Sequence, residues 1–445
     1  MAIGTFDAAA ARALGERNGD PDWLIERRLQ SLERFEALPW PDPKDDEAWR
    51  YTHLEDFDLT AFDPLPTPHA VAPTLDDVPE DVLAAVGEVG ERAGLAFQLD
   101  ADVVHMTLDP ALASKGVVFG TLGGTAAAYP DPVRDALGHA GVSPSEEKFS
   151  TLGGAFSSGG TYLYVPRGVA VEVPLQAFRW ISRSGIAIFP RTVVVTEEGA
   201  SVTYIDHYRS ADLDGPALSA GIVELYAHQN SQISYLAVQD WGPTVWHFNV
   251  QRAIVQRDAT LRSLAATLGG TLSRSVVESI LDGPGAHSEM LGVYFSDSDQ
   301  HFDHRSLQEH RAPNTSSDLY YKGALKGRSR AVYSGLIHIA KEAQKVDSWQ
   351  ANRNLILSSE AKADSTPYLE IEANDVRCAH GVSVGPPDED QVFYLESRGL
   401  HHDEAEHLIV AGFFQEILDR VRVPEVRAML ERAVEHELEL EDQHV

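Results

Sequence analysis

EEGASVTYI at residues 197–205, HQNSQISYL at 228–236, QRDATLRSL at 256–264 and GPGAHSEML at 283–291 each set a small polar turn ahead of a strand-like run. They recur at intervals of roughly 27–31 residues, inside the range that marks repeat architectures. Around them, runs rich in β-branched and aromatic residues dominate and often alternate: 191–196, 201–208, 220–227, 232–238, 252–255 and 261–266. Later turns, LKGRSRAVY, AKEAQKVDS and SSEAKADST, follow more closely. A coiled sheet produces this pattern, because each circuit consists of short strands and tight corners, and stacking buries a core that no single rung buries alone. A β-sandwich predicts hairpin turns and no long period, and Asp282-Gly283 is one such dipeptide. The expected fold is mainly β, with a β-helix core over residues 151–385, a helical or mixed region over 1–150 and a helical region over 386–445.

The flanks carry helix signals. Asp20-Pro21 reads as N-cap and first helical position, and Leu24, Ile25, Leu29, Leu32 and Phe35 follow at helical spacing until residues 39–43 stop the helix. Residues 63–79 are proline-rich and read as a loop or linker. FGTLGGTAAA lacks the lysine of a phosphate loop and reads as a flexible turn. Near the C-terminus, Asp388 or Asp390 caps a helix through Tyr394 and Leu395 that ends at Gly399. Asp403 caps a second through Leu408, Ile409, Phe413, Ile417 and Val421, and Pro424 opens a third with Val426, Met429, Leu430 and Val434 on one side. Three such helices are expected to pack on the end of the β domain or on a partner.

With 68 acidic residues against 36 basic ones, the 445-residue chain carries a net charge of −32, spread along its length as a solvated, halophile-like surface. Such a chain repels phosphate backbones and anionic lipid, so neither nucleic acid nor membrane is an expected partner. The N-terminus lacks a basic start followed by an apolar run, and the longest strongly apolar stretch lies near residues 408–414. A cytoplasmic protein is expected. No nucleotide-binding loop, dinucleotide turn, nucleophile elbow or H-E-x-x-H helix occurs.

Cys378, the single cysteine, and His380 form a C-x-H pair in the strand-like LEIEANDVRCAHG. Side chains two apart in a strand share a face, so thiolate and imidazole can reach one metal or cluster, but two ligands leave a site open. A buried thiol beside a strand-end histidine is the structural alternative. His301, His304 and His310 in QHFDHRSLQEH are either metal ligands or corner residues bonding the backbone. Asp347, Trp349, Gln350, Asn352, Arg353 and Asn354 in KVDSWQANRNLIL read as a polar strand face, the solvated reading being favoured. Glu370 and Glu372 share a face, as acid and base would in a β-helical carbohydrate-active enzyme.

From YYKGALKGRSRAVYSG through HGVSVGPPDEDQVFYLESRGL, residues 320–400, the chain resembles the SufB/SufD family of iron–sulfur cluster assembly proteins, and within it the SufD branch. QHFDHRSLQEH and EAWRYTHL (47–54) are similar to further family blocks. The resemblance is strongest over residues 240–420. It implies a right-handed parallel β-helix flanked by helices, in a subunit that is a scaffold and not an enzyme. It implies a SufB partner through the β-helix, a SufC ATPase held by the C-terminal helices, and a homodimer when SufB is absent. The cofactor it implies is a transient iron–sulfur cluster or iron, not tightly held by the isolated chain. His380 matches a family histidine tied to the nascent cluster and Cys378 the nearby cysteine, the remaining ligands coming from SufB. A SufB-like subunit is the alternative; it carries further cysteines and reads E-H-E-A-T-T where this chain reads A-H-G-V-S-V-G.

Overall fold

The four quoted turns explain the architecture. Each closes with a hydrogen bond from its fourth N–H to its first carbonyl: Ala200 to Glu197, Ser231 to His228, Ala259 to Gln256 and Ala286 to Gly283. The third residue of each has a left-handed backbone, Gly199 (φ 70°), Asn230 (56°), Asp258 (56°) and Gly285 (77°). Glycine, asparagine and aspartate tolerate that region best, which is why these types recur there. The N–H groups of Gly199, Asn230 and Asp258 then donate to carbonyls of Gln229, Arg257 and Pro284 in the next turn, so corner stacks on corner.

In the computed structural model, which describes residues 4–71, 80–87, 90–139 and 147–439, these corners link two sheets of ten strands each. One runs Asp102–Leu108, Gly94–Leu99, Leu175–Ile181, Ser201–Ser210, Gln232–Asp240, Thr260–Thr267, His287–Ser296, Ser316–Leu325, Val346–Ile356 and Val376–Gly385. The other begins with Val118–Thr121, Thr161–Val165, Arg191–Thr196 and Ala217–Ala227. It continues through Val245–Val255, Leu272–Leu281, His301–His310, Arg330–Ile339 and Lys362–Ile371, with the two-residue Ala187–Ile188, paired to Ala217–Ala227, as its tenth strand. From Leu175 onward the long strands alternate between sheets and pair in parallel, the arrangement of a β-solenoid. The expected mainly β coiled sheet with helical flanks is therefore the fold.

Both outer faces are covered over part of their length. Helices His402–Leu418 and Pro424–Glu439 lie on the first sheet, where Val410, Phe414, Ile417, Val426 and Leu430 pack with Leu236, Leu264, Val293 and Phe295. They cover the side of the solenoid, not its end as the sequence suggested, because that face carries an apolar row able to bury their stripes. Helices Ala8–Arg17, Asp22–Ala37 and Lys148–Phe156 cover the second sheet, with Phe149 stacked on Phe248 at 3.5 Å. Among the described residues no helix is long and apolar enough to cross a membrane.

Several local expectations shift. Asp20 is not the cap: the helix begins at Asp22 with Pro21 in extended backbone, while the buried Asp20 carboxylate accepts from Arg28 Nε at 2.5 Å. Residues 63–71 contain no helix or strand beyond one isolated bridge at Asp63, and 72–79 lie outside the described residues. FGTLGGTAAA is a strand leading directly into helix Leu122–Ala128, whose Gly124 N–H is capped by Thr121; a Cβ on Gly123 would meet the Asn18 carbonyl oxygen at 2.4 Å. Asp388 does cap Glu389–Ser397. The next helix starts before Asp403, with His401 at the cap position and its N–H bound by Glu404 at 2.9 Å.

The N-terminal EAWRYTHL block is clamped to the second sheet by a buried network. Thr52 donates to Asp303 at 2.7 Å, and Arg274 pairs with Asp303 while lying 4.0 Å from the Trp49 ring centroid. Burial would raise the Asp303 carboxyl, but Arg274, Arg305 and the Thr52 hydrogen bond hold it below its ordinary value. Asp303→Ala takes away the buried partner of Arg274 and leaves it only the partly exposed Glu147 at 3.1 Å, so denaturant unfolding should show a loss of about 3 kcal/mol. A second expectation concerns acid. Burial pushes His207 and His247 down to about 3 and His301, His304 and His310 to about 4. The unfolded chain takes up these protons near pH 6.5 and the folded chain resists, so stability present above that pH is lost as pH falls toward 4. Thermal midpoints should drop across this window, and His304→Phe should blunt the drop by removing a contribution of roughly 3 kcal/mol.

Candidate functional site

Parallel register makes columns of side chains along the solenoid. Ser288, Ser317, Ser348 and Cys378 form one column of the first sheet; Met290, Leu319, Gln350 and His380 form the next. The first three members of each are buried in the lumen. The last members sit on Val376–Gly385, the final strand of its sheet, paired only with Val346–Ile356. Lys362–Ile371 likewise ends the second sheet. No further coil covers these two strands among the described residues, so one row of backbone donors and acceptors on each is open for pairing. Residues in lumen positions therefore reach solvent here: His380 is exposed, Cys378 is half-buried, and Ile371, Val382 and Val384 are 41–45% exposed.

Cys378 and His380 thus lie on one face, with Cα atoms about 7 Å apart along the strand. Cys378 packs beside Ile337, Ile339, Val346 and Leu369, and this burial pushes its thiol up from the ordinary value. Among the described residues no group of three or more histidine, cysteine and carboxylate side chains is placed to hold a metal. The terminal coil offers a thiol and an imidazole, and a complete ligand set there needs donors from another molecule.

The His-rich stretch does not assemble into a site, because alternation sends its members to opposite faces. His301 points outward, its Nε2 3.1 Å from Thr52 Oγ1. His304 and His310 point into the lumen. His304 lies 4.6 Å from the Tyr294 ring, and neither of its ring nitrogens has a partner. His310 is held by Thr315 Oγ1 at 2.7 Å and Ser317 Oγ at 2.9 Å, and Ser317 meets Ser348 Oγ at 2.7 Å. A hydroxyl chain thereby runs from His310 to the rung beneath Cys378. Sequence reasoning missed it, although a signal existed: Ser288, Ser317 and Ser348 each follow a left-handed corner residue, Gly285, Asn314 or Lys345, by three positions.

KVDSWQANRNLIL is likewise split, which corrects the solvated-face reading. Asp347, Trp349 and Arg353 are exposed on the outer side, while Gln350, Asn352 and Asn354 are buried in the lumen. There Asn352 donates to Tyr294 Oη at 3.0 Å and accepts from Asn354 and Ser365 at 2.7 Å each. Glu370 and Glu372 both stand exposed on the last coil.

The profile described as "SUF system FeS cluster assembly, SufBD core domain" matches residues 179–413. The chain belongs to the SufBD family. The match runs from the early coils into the helix that covers the first sheet. An iron–sulfur cluster assembly SufBD family protein of Staphylococcus saprophyticus is 28% identical over 436 residues, covering 96% of this chain and 92% of the relative. A protein of the same description from Staphylococcus epidermidis is 28% identical over 428 residues, covering 94% and 90%. One from Staphylococcus aureus is 27% identical over 436 residues, covering 96% and 92%. Membership in an iron–sulfur assembly family replaces the carbohydrate-enzyme reading of Glu370 and Glu372 and agrees with a scaffold role.

The raised thiol pKa sets an expectation for reactivity. At pH 7 Cys378 should be alkylated by iodoacetamide more slowly than a free thiol, and the rate should climb as pH rises. Intact mass gives an unambiguous readout because the chain has one cysteine.

Proposed function

We propose that this chain is a SufD-type, non-catalytic scaffold subunit that pairs with SufB at the open end of its solenoid and contributes Cys378 and His380 to a nascent iron–sulfur site. The observation carrying this reading is the terminal coil, where two lumen-facing ligands, two unpaired strand edges and exposed apolar side chains share one surface. A second β-solenoid can continue both sheets, bury Ile371, Val382 and Val384, and bring further ligands beside His380. The cluster or iron is cargo at this site, held transiently because this chain supplies only part of the ligand set. In the absence of SufB, a second copy of the chain can use the same surface.

The SufD branch is favoured over a SufB-like role by the cysteine count. With Cys378 alone, no second thiol can relay sulfur within the chain. The reading also places a SufC ATPase on the C-terminal helices, where Phe393 is 70% exposed and Tyr394 and Leu408 are exposed as well. Closure of two such ATPases would twist the paired solenoids and reshape the surface around His380. The cytoplasmic location expected from the sequence goes with this proposal.

Anaerobic reconstitution with SufB and SufC tests it. The wild-type complex should co-purify and accumulate a cluster visible by absorbance and circular dichroism. His380→Ala should assemble the same complex yet lose most of the cluster, with Cys378→Ser separating the two ligands. Unchanged cluster yield in His380→Ala would falsify the site assignment, and failure to co-purify with SufB would remove the pairing.

A further inference from the structure

A second surface lies far along the chain from Cys378 and His380. On the outer face of the second sheet, Val118, Tyr164, Val195, Tyr226 and Ile254 align in register on successive strands and floor a groove of about 1020 Å³. With neighbouring strands about 4.8 Å apart, the row from Val118 to Ile254 spans five strands and roughly 19 Å, and Asp282 lies just past the end of the sixth strand. Helix Pro130–His139 bounds it through Pro132, Asp135 and Ala136. The groove is thus a trough, longer than a compact metabolite needs.

Its chemistry is one-sided. Phe119, Tyr129, Tyr162, Tyr164 and Tyr226 supply aromatic surface, while Asp135, Glu197 and Asp282 supply carboxylates. Among the described residues no lysine or arginine lines it, although His228 does and Arg27, Arg191 and Arg252 lie behind Tyr226; Arg311 makes a loose 3.9 Å contact with Asp282, both half-exposed. Tyr226 is 8% exposed, yet its hydroxyl, buried at the floor, has no hydrogen-bond partner. An aromatic floor beneath carboxylates attracts aliphatic-stemmed cations, the stem lying on the rings and the charge reaching the acid groups.

We propose that this trough docks a cationic amphipathic peptide segment of a partner protein, with its apolar side chains on the tyrosine floor and arginine or lysine heads at Glu197 and Asp282. The length favours a peptide over a single small cation, and a lining without lysine or arginine favours positive charge. The proposal is independent of the open solenoid end and of the ligand assignment there.

The test uses the full chain and a fluorescein-labelled amphipathic peptide of arginine and leucine, read by anisotropy. A charge-reversed peptide of glutamate and leucine should not bind. Glu197→Lys with Asp282→Lys should weaken binding by at least about tenfold, while Glu342→Lys with Glu360→Lys, the same charge change elsewhere on the surface, should leave it within about twofold. Circular dichroism and thermal midpoint confirm folding, and Glu197→Gln with Asp282→Asn serves if the reversal disturbs it. The proposal is overturned if the arginine peptide fails to bind, if the remote pair weakens it as much, or if spermine occupies the groove as tightly as the peptide.

Discussion

Each coil of this solenoid completes the hydrogen bonding of the coil before it, and that dependence governs the rest of the molecule. From Leu175 onward a strand inside either sheet has both edges satisfied by parallel neighbours, and the corner N–H groups of Gly199, Asn230 and Asp258 are satisfied by the following turn. Such a stack has no natural stopping point. Val376–Gly385 and Lys362–Ile371 stop it with one edge unpaired, and the same interruption opens the lumen to solvent. The chemical pair Cys378 and His380 is accessible for this reason and no other, since its column mates Ser348 and Gln350 are buried one coil below.

The lumen changes character along its length. In its early coils it is filled by residues such as Ile233, Tyr235 and Leu261, with a buried Arg179–Asp206 pair at 3.0 Å satisfied by Tyr235 and Thr192. Toward the open end it becomes a polar lattice of Tyr294, Asn352, Asn354, Gln350 and Ser348. A buried polar network is costly when incomplete, and its bonds discriminate against slipped strand registers. The lattice therefore fixes the register of the rung beneath Cys378 and His380, and with it their separation.

The helical flanks contribute stability from outside. The aromatic cluster of Phe35, Trp49, Phe57 and Phe149 seals the second sheet, while the Asp303 network ties EAWRYTHL to the histidine-rich strand. Two blocks that stand apart by about 250 positions in the chain, and that resembled the same family separately, are thus one structural unit: Thr52 meets both His301 and Asp303. Their shared pattern reflects packing, and the buried neutral state of His301 follows from it.

The chain's own pattern was enough for the coil. Glycine, asparagine and aspartate at the third turn position reported the left-handed corners, β-branched runs reported the strands, and spacing two put Cys378 and His380 on a common face. It could not assign inside and outside. Helices cover both outer faces, so apolar residues occupy both sides of many strands and the contrast that normally identifies the core disappears. For that reason His301, His304 and His310 looked like one cluster, and the Asp347–Asn354 stretch looked like one solvated face. Which face is lumen, where the last coil lies, and how far Cys378 and His380 reach solvent were decided only when distant segments packed together.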